Sequence, residues 1–228
     1  MKAVVLFSGG LDSTTCLALA IEKLKAENVL ALSISYGQKH VKELDAARKI
    51  ASFYQVQLME LDLKEIFKNS NCTLLEGRKS IPHENYLDQL KQTNGAPVST
   101  YVPFRNGLFL SVAASVALAN DCEEIYYGAH MDDAAGNAYP DTSSEFNDAI
   151  NKAIYIGSGK KLRLIAPFIH MTKKEVVSCG VSLQVPYELT WSCYEGHDKA
   201  CGVCATCIDR KNAFLLNHLK DPIEYEVN

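Results

Sequence analysis

No apolar run in the 228-residue chain is long enough to cross a membrane as a helix. The longest, from Leu108 to Ala119, falls well short of the roughly 20 residues a span needs. The start, Met1-Lys2-Ala3, leads straight into a strand-like segment without signal-peptide architecture, so a cytoplasmic protein with no membrane partner is expected. Excess positive charge is missing too. With 23 basic and 27 acidic residues the net charge is −4, which provides no broad electrostatic footprint for nucleic acid. Two common nucleotide-binding signatures, GxxxxGK[ST] and GxGxxG, are absent. The length leaves little room for a second large domain, since a chain of this size forms one core that buries roughly 70% of its unfolded surface.

What is present is a short apolar run, Ala3-Val4-Val5-Leu6-Phe7, followed by Ser8-Gly9-Gly10-Leu11-Asp12-Ser13-Thr14-Thr15 and then Cys16 to Ile21. This order predicts strand, tight loop and helix start. Such a turn cradles anions. Glycines let the backbone approach closely, N–H groups converge, and the helix N-terminus adds about half a positive charge. Asp12 is placed to hold Mg²⁺ against phosphates, and the hydroxyls of Ser8, Ser13 and Thr14 to donate to their oxygens. A simple Gly-Gly turn capped by Asp12 or Ser13 would leave the same trace.

Further strands are expected at Val29 to Ser35, Val56 to Leu61, Glu123 to Gly128 and Leu162 to Pro167. Between the second and third, a crossover helix carries Val41, Leu44, Ala47, Ala51 and Tyr54 on one face. The alternation predicts an α/β fold with a doubly wound, mostly parallel five-stranded sheet. Residues 1–187 would form it, with an irregular insertion at about 62–100 acting as a lid, binding loop or subunit contact. The apolar helix after Gly107 is expected to be buried on every side, with Arg105 and Asn106 at its positive end. There Arg105 meets a phosphate or carboxylate, or pairs with a structural acid.

The exit of the fourth strand carries His130, a structural histidine or a general base, and Asp132 and Asp133, carboxylates suited to Mg²⁺ or to the donor edge of a heterocycle. Capping boxes are expected at Thr142/Glu145 and Thr172/Glu175. Lys173, in a first helical turn where acids are preferred, suggests a bound anion, with solvated surface as the alternative. Residues 188–228 hold Cys193, Cys201, Cys204 and Cys207, the last three in C-x-x-C-x-x-C spacing, which together suit a closed thiolate site. Four thiolates complete tetrahedral Zn²⁺ as a structural ion that staples Glu195 to Gly202. An iron–sulfur cluster is the competitor, although the ferredoxin continuation C-x-x-x-C-P is missing.

The first loop resembles the SGGxDS pyrophosphate loop of the ATP pyrophosphatases. With Tyr36-Gly37-Gln38-Lys39-His40, Val102-Pro103-Phe104-Arg105-Asn106, Tyr139-Pro140-Asp141, Thr190-Trp191-Ser192-Cys193-Tyr194 and the trailing cysteines, the chain resembles the 7-cyano-7-deazaguanine synthase family over nearly its full length. The resemblance implies an adenine nucleotide alpha hydrolase-like sheet with a small zinc-binding C-terminal segment, and a cytoplasmic homodimer. It implies an ATP-dependent ligase that joins 7-carboxy-7-deazaguanine and ammonia at the expense of ATP. Ser8, Gly9, Gly10, Leu11, Asp12, Ser13 and Thr14 would hold pyrophosphate and Mg²⁺. Arg105 and Lys173 would contact phosphate or carboxylate, and Asp132, Tyr139 and Asp141 the deazaguanine, with Trp191 stacking on a ring or simply packing. The family commonly follows Tyr-Pro-Asp with Cys-Arg, where this chain has Thr142-Ser143, so a contact made by that arginine is lost. A tRNA-thiolating ATP pyrophosphatase and a non-catalytic zinc-ribbon module are the rival readings.

Overall fold

The sheet grows outward from its first strand in both directions. In the computed structural model, which describes residues 2–39, 42–94, 96–195 and 198–227, five parallel strands lie in the order β3-β2-β1-β4-β5. They are β1 (Ala3–Leu6), β2 (Val29–Ser35), β3 (Gln57–Asp62), β4 (Glu124–Tyr126) and β5 (Arg163–Ile165). The helices are α1 (Leu11–Leu24), α2 (Lys42–Tyr54), α3 (Lys64–Phe67), α4 (Tyr86–Gln92), α5 (Arg105–Ala119), α6 (Met131–Ala134), α7 (Ser144–Gly157), α8 (Lys173–Ser182) and α9 (Ala205–Leu216). All five expected strands are present. His40 and Val41 of the second-strand loop and crossover helix, Gly95 of the insertion, and Gly196 and His197 of the cysteine segment lie outside the described residues.

Alternation along the central strands feeds two cores. Ala3, Val5 and Phe7 pack with α1, α2, α8 and α9, whereas Val4 and Leu6 pack with α5 and α7. The chain winds β1, β2, β3 and then returns to β4 on the other side of β1. Strand order therefore reverses between β1 and β4, which leaves a crevice outside their carboxyl ends.

The insertion is largely irregular but not loose. Phe67, Cys72, Leu74, Leu75 and Ile81 share a third core with Tyr36, Val102, Ala200 and the four cysteines. Its α4 turns toward the crevice. Two expectations need correction. Helix α5 is not buried all round, since Ser111, Ser115 and Leu118 form an exposed stripe at i, i+4, i+7 spacing. The cap of α7 is Ser143, whose hydroxyl accepts from Phe146 N at 3.1 Å, one residue later than the Thr142/Glu145 box; Thr142 instead donates to the Tyr139 carbonyl at 2.7 Å. The Thr172/Glu175 box forms as expected.

The C-terminal segment shares the main core: Ala213 and Phe214 of α9 pack with α1 and α8. A buried ion pair fixes it there. Arg210, 1% exposed, donates from Nε and Nη2 to Asp221 at 2.7 and 2.9 Å, to Thr190 Oγ1 at 2.7 Å and to the Tyr187 carbonyl at 3.0 Å. Every guanidinium face is engaged, so removing it strands a buried carboxylate. Arg210→Leu should therefore destabilise the fold by about 3–5 kcal/mol in urea unfolding, and adding Asp221→Leu should recover part of that loss.

Candidate functional site

The loop after β1 turns through Gly9, whose φ of +83° suits glycine. A Cβ there would lie 2.5 Å from the backbone N of Ala47 and the carbonyl oxygen of Glu43, so the loop can approach α2 this closely only without a side chain. Gly10 caps α1 with no side-chain hydrogen bond, which leaves the positive end of a 14-residue helix facing the crevice. The loop is pinned from the cysteine segment: Trp191 N donates to the Gly9 carbonyl at 3.0 Å, and Leu11 N to Ser192 Oγ at 3.3 Å.

Ser8, Gly10, Asp12 and Ser13 line one cavity together with Arg105, Tyr139 and Lys173. Leu11 and Thr14 are buried behind it, and the Thr14 hydroxyl donates to the Gly10 carbonyl at 2.7 Å. Of the three hydroxyls expected to meet phosphate, Ser8 and Ser13 face the cavity, 3.1 Å apart.

Lys173 is neither solvated surface nor left for a bound anion alone: it pairs with Asp12 of the chain itself. The Lys173 ammonium reaches across from α8 to Asp12 Oδ2 at 2.5 Å and lies 3.3 Å from His130 Nε2. Burial alone would raise the Asp12 carboxyl, but Lys173 and then His130 outweigh it and hold the group below the usual carboxylate range. The same exchange works on Lys173, which burial pulls down and Asp12 and Asp133 push above its ordinary value. Both groups are therefore charged at neutral pH. Asp12 Oδ1 has no hydrogen-bond partner and lies 3.6 Å from His130 Nε2. An orphaned carboxylate oxygen, with Asp133 and Asp209 on the same lining, is a fitting donor set for Mg²⁺.

Three expected substrate contacts are engaged elsewhere. Asp132 accepts the Lys173 backbone N–H at 2.7 Å and thus caps α8. Asp141 accepts from Asn106 N at 2.8 Å and Asn106 Nδ2 at 3.2 Å, which holds the start of α5; burial raises its carboxyl against these donors. Trp191 donates its indole N–H to the Cys193 carbonyl at 3.0 Å. None of the three lines the cavity. Arg105 does, with Nη1 donating to Tyr36 Oη at 3.0 Å. It follows Phe104, a non-glycine residue at φ +53° whose N–H is held by Tyr101 Oη at 2.9 Å.

The cavity also gathers residues that sequence reasoning missed: Glu43, Tyr86, Ser192, Tyr194 and Asp209. Asp209 is pushed up to about 6 by burial, against the pull of Lys173. Burial likewise raises Glu43 to about 7, with Arg105 opposing. A carboxyl raised from 4.5 keeps its proton in the folded protein while the unfolded chain loses it, so stability falls as pH rises from about 4.5 to 7. In thermal unfolding between those pH values, Glu43→Gln should remove a decline on the order of 2 kcal/mol.

The thiols of Cys193, Cys201, Cys204 and Cys207 all lie within 4.8 Å of one another, and Cys201 Sγ is 3.9 Å from Cys207 Sγ. Four sulfurs about 2.3 Å from one ion stand about 3.8 Å apart in a tetrahedron, so the quartet can hold zinc. Backbone N–H groups orient them: Cys193 Sγ accepts from Glu195 and Cys201, and Cys201 Sγ from Val203 and Cys204, at 3.3–3.4 Å.

A parallel sheet with a glycine loop and an open helix end at its switch point, stapled by a thiol quartet, defines a nucleotide-binding protein of the pyrophosphate-loop type. The family model described as queuosine biosynthesis protein QueC matches residues 2–218, and the chain belongs to that family. It is 40% identical over 224 residues to a 7-cyano-7-deazaguanine synthase of Archaeoglobus fulgidus, covering 98% of this chain and 90% of the relative. A synthase of the same name from Methanoculleus marisnigri is 41% identical over 229 residues, covering 99% of each. Among solved structures, the U34-tRNA thiolase NcsA from Methanococcus maripaludis, with its 4Fe-4S cluster, superposes with a TM-score of 0.53 at 19% identity. The match covers 96% of this chain and 67% of the thiolase, a likeness of fold alone.

Proposed function

We propose that the chain is an ATP-dependent ligase that converts 7-carboxy-7-deazaguanine and ammonia into 7-cyano-7-deazaguanine, releasing AMP and pyrophosphate. The observation that carries this reading is the Lys173–Asp12 pair set against the glycine-capped N-terminus of α1, beside Arg105 in the same cavity. Hydroxide is a poor leaving group, so the carboxylate has to be adenylated before ammonia can displace AMP and give the amide. Adenylation of the amide oxygen and loss of AMP and a proton then give the nitrile.

The protein's part is positioning and charge neutralisation. Ser8, Gly9, Gly10, Ser13 and the α1 N-terminus receive the departing pyrophosphate, with Leu11 and Thr14 supporting the turn from behind. Lys173 and Arg105 offset charge on phosphate or carboxylate. Asp12 would hold Mg²⁺, which when bound neutralises the phosphate oxygens. Zinc at the four cysteines would be structural, because four thiolates leave no open coordination position. The family resemblance also leads us to assign a cytoplasmic homodimer, which light scattering of the purified protein tests.

None of the eight cysteines lines the cavity, which counts against a thiolation route that carries sulfur into the site on a cysteine. Incubation with 7-carboxy-7-deazaguanine, ammonium and Mg-ATP should give the nitrile and two AMP per nitrile by mass spectrometry and nucleotide chromatography. Zinc binding without AMP release would leave the non-catalytic module in its place.

A further inference from the structure

The acids expected to meet the guanine-like ring are engaged elsewhere. Asp141 is spent on Asn106, Asp132 on the end of α8, and Thr142-Ser143 on local capping. Three tyrosines drawn from different parts of the chain meet at the same cavity wall: Tyr86 from α4 of the insertion, Tyr139 from the loop beyond β4, and Tyr194 beside Cys193. Their hydroxyls form a triangle, with Tyr86 to Tyr194 at 3.0 Å and Tyr139 to each of the others at 3.3 Å. Thr100 Oγ1 adds a fourth contact to Tyr139 Oη at 2.6 Å.

Four contacts share four hydroxyl protons, and the count fixes their direction. Tyr139 donates to Tyr86. Thr100 must then donate to Tyr139, Tyr86 to Tyr194, and Tyr194 back to Tyr139, or one contact has no proton. Burial holds the Tyr86 and Tyr194 phenols well above their ordinary range, so both stay neutral. Tyr139 accepts twice and is saturated. Tyr86 and Tyr194 accept once each and keep one lone pair apiece, with no proton left to donate.

We propose that this tyrosine triangle is the specificity element for the ring, with Tyr86 and Tyr194 as two adjacent acceptors for a ring N–H beside an exocyclic amine. A guanine-type edge offers two such donors in a row, whereas adenine pairs its amine with a ring-nitrogen acceptor that would face a lone pair. The wall therefore selects the deazaguanine over the adenine of ATP. Arg105 in the same cavity supplies the opposite polarity for its carboxylate. This assignment rests on the proposed ligase reaction.

The test is steady-state kinetics of Tyr86→Phe and Tyr194→Phe with two acids, the parent and an analogue lacking the 2-amino group. For each variant KM for the parent acid should rise about tenfold with KM for ATP unchanged, and the preference for parent over analogue should shrink from roughly tenfold toward one. Zinc content and melting temperature report whether each variant folds, and two variants on separate segments guard against loss of either. Equal rises in both KM values, or undiminished discrimination in both folded variants, would overturn the assignment. If the wild type makes no nitrile, the ligase reading fails on its own. Calorimetric binding of the two acids to wild type and variants then decides the triangle: loss of discrimination in the variants supports it, and unchanged discrimination rejects it.

Discussion

Replacing Asp12 with asparagine should lower turnover by at least about 10³-fold and leave zinc content near that of the wild type, while the melting temperature falls because the buried Lys173 ammonium loses its counter-charge. The substitution keeps side-chain volume and an oxygen that can accept from Lys173 at the present 2.5 Å contact, so the structural half of the interaction survives. What disappears is the negative charge. Asp12 contributes a charged oxygen in the first turn of α1, and its Oδ1, without a hydrogen-bond partner, can hold Mg²⁺ on a triphosphate. Without it less of the pyrophosphate's charge is neutralised, and the loss of one charge-stabilising group is worth about 10²–10³-fold by itself. Losing the cation as well adds to that. The readout is AMP formation at saturating ATP and ammonium, with zinc analysis and calorimetric melting alongside. Turnover within tenfold of the wild type would remove Asp12 from the mechanism.

The strands and the cysteine quartet are legible in the sequence because each rests on local information. Ala3 to Phe7 and Val29 to Leu32 are apolar on both faces, as central parallel strands must be, and C-x-x-C-x-x-C spacing gathers three of the four thiols within seven residues. The glycine loop is legible for the same reason. The donor inventory of the cavity is not. Asp132 and Asp141 are short acids at strand exits, and nothing local reveals that the N–H groups of Lys173 and Asn106 have already taken their oxygens. Glu43 and Asp209 carry no local signal in the sequence, and only the packing of α2 and α9 around the β1 exit brings them to the cavity. Tyr86 lies in a stretch without periodicity, and its partner Tyr194 is 108 residues away. Sequence distance of that size hides a hydrogen-bonded wall more completely than it hides a strand, because a strand repeats and a wall does not.

Substituting Cys204 with serine should release the metal and unfold the protein at a lower temperature, and turnover should fall as a consequence. The region around the quartet has few apolar residues of its own. Cys193, Cys201, Cys204 and Cys207 are themselves the centre of the third core, with Ala200 and insertion residues such as Phe67, Leu74 and Ile81 around them. Binding a structural zinc supplies about 10–16 kcal/mol in small domains, and a serine hydroxyl is a poor replacement for a thiolate. Only part of that binding energy is lost from the stability of a chain whose sheet folds on other contacts. Even a loss of ~4 kcal/mol lowers the melting temperature by roughly 8–16 °C at this size. The damage reaches the site through neighbours in sequence. Ser192 braces Leu11 N, Trp191 N holds Gly9, and Tyr194 closes the tyrosine triangle, all within three residues of Cys193. The wild type treated with a strong chelator should reproduce the variant, with metal analysis, melting and AMP release falling together. If Cys204→Ser lost turnover with zinc content and melting point intact, the quartet would be part of the chemistry and not its staple.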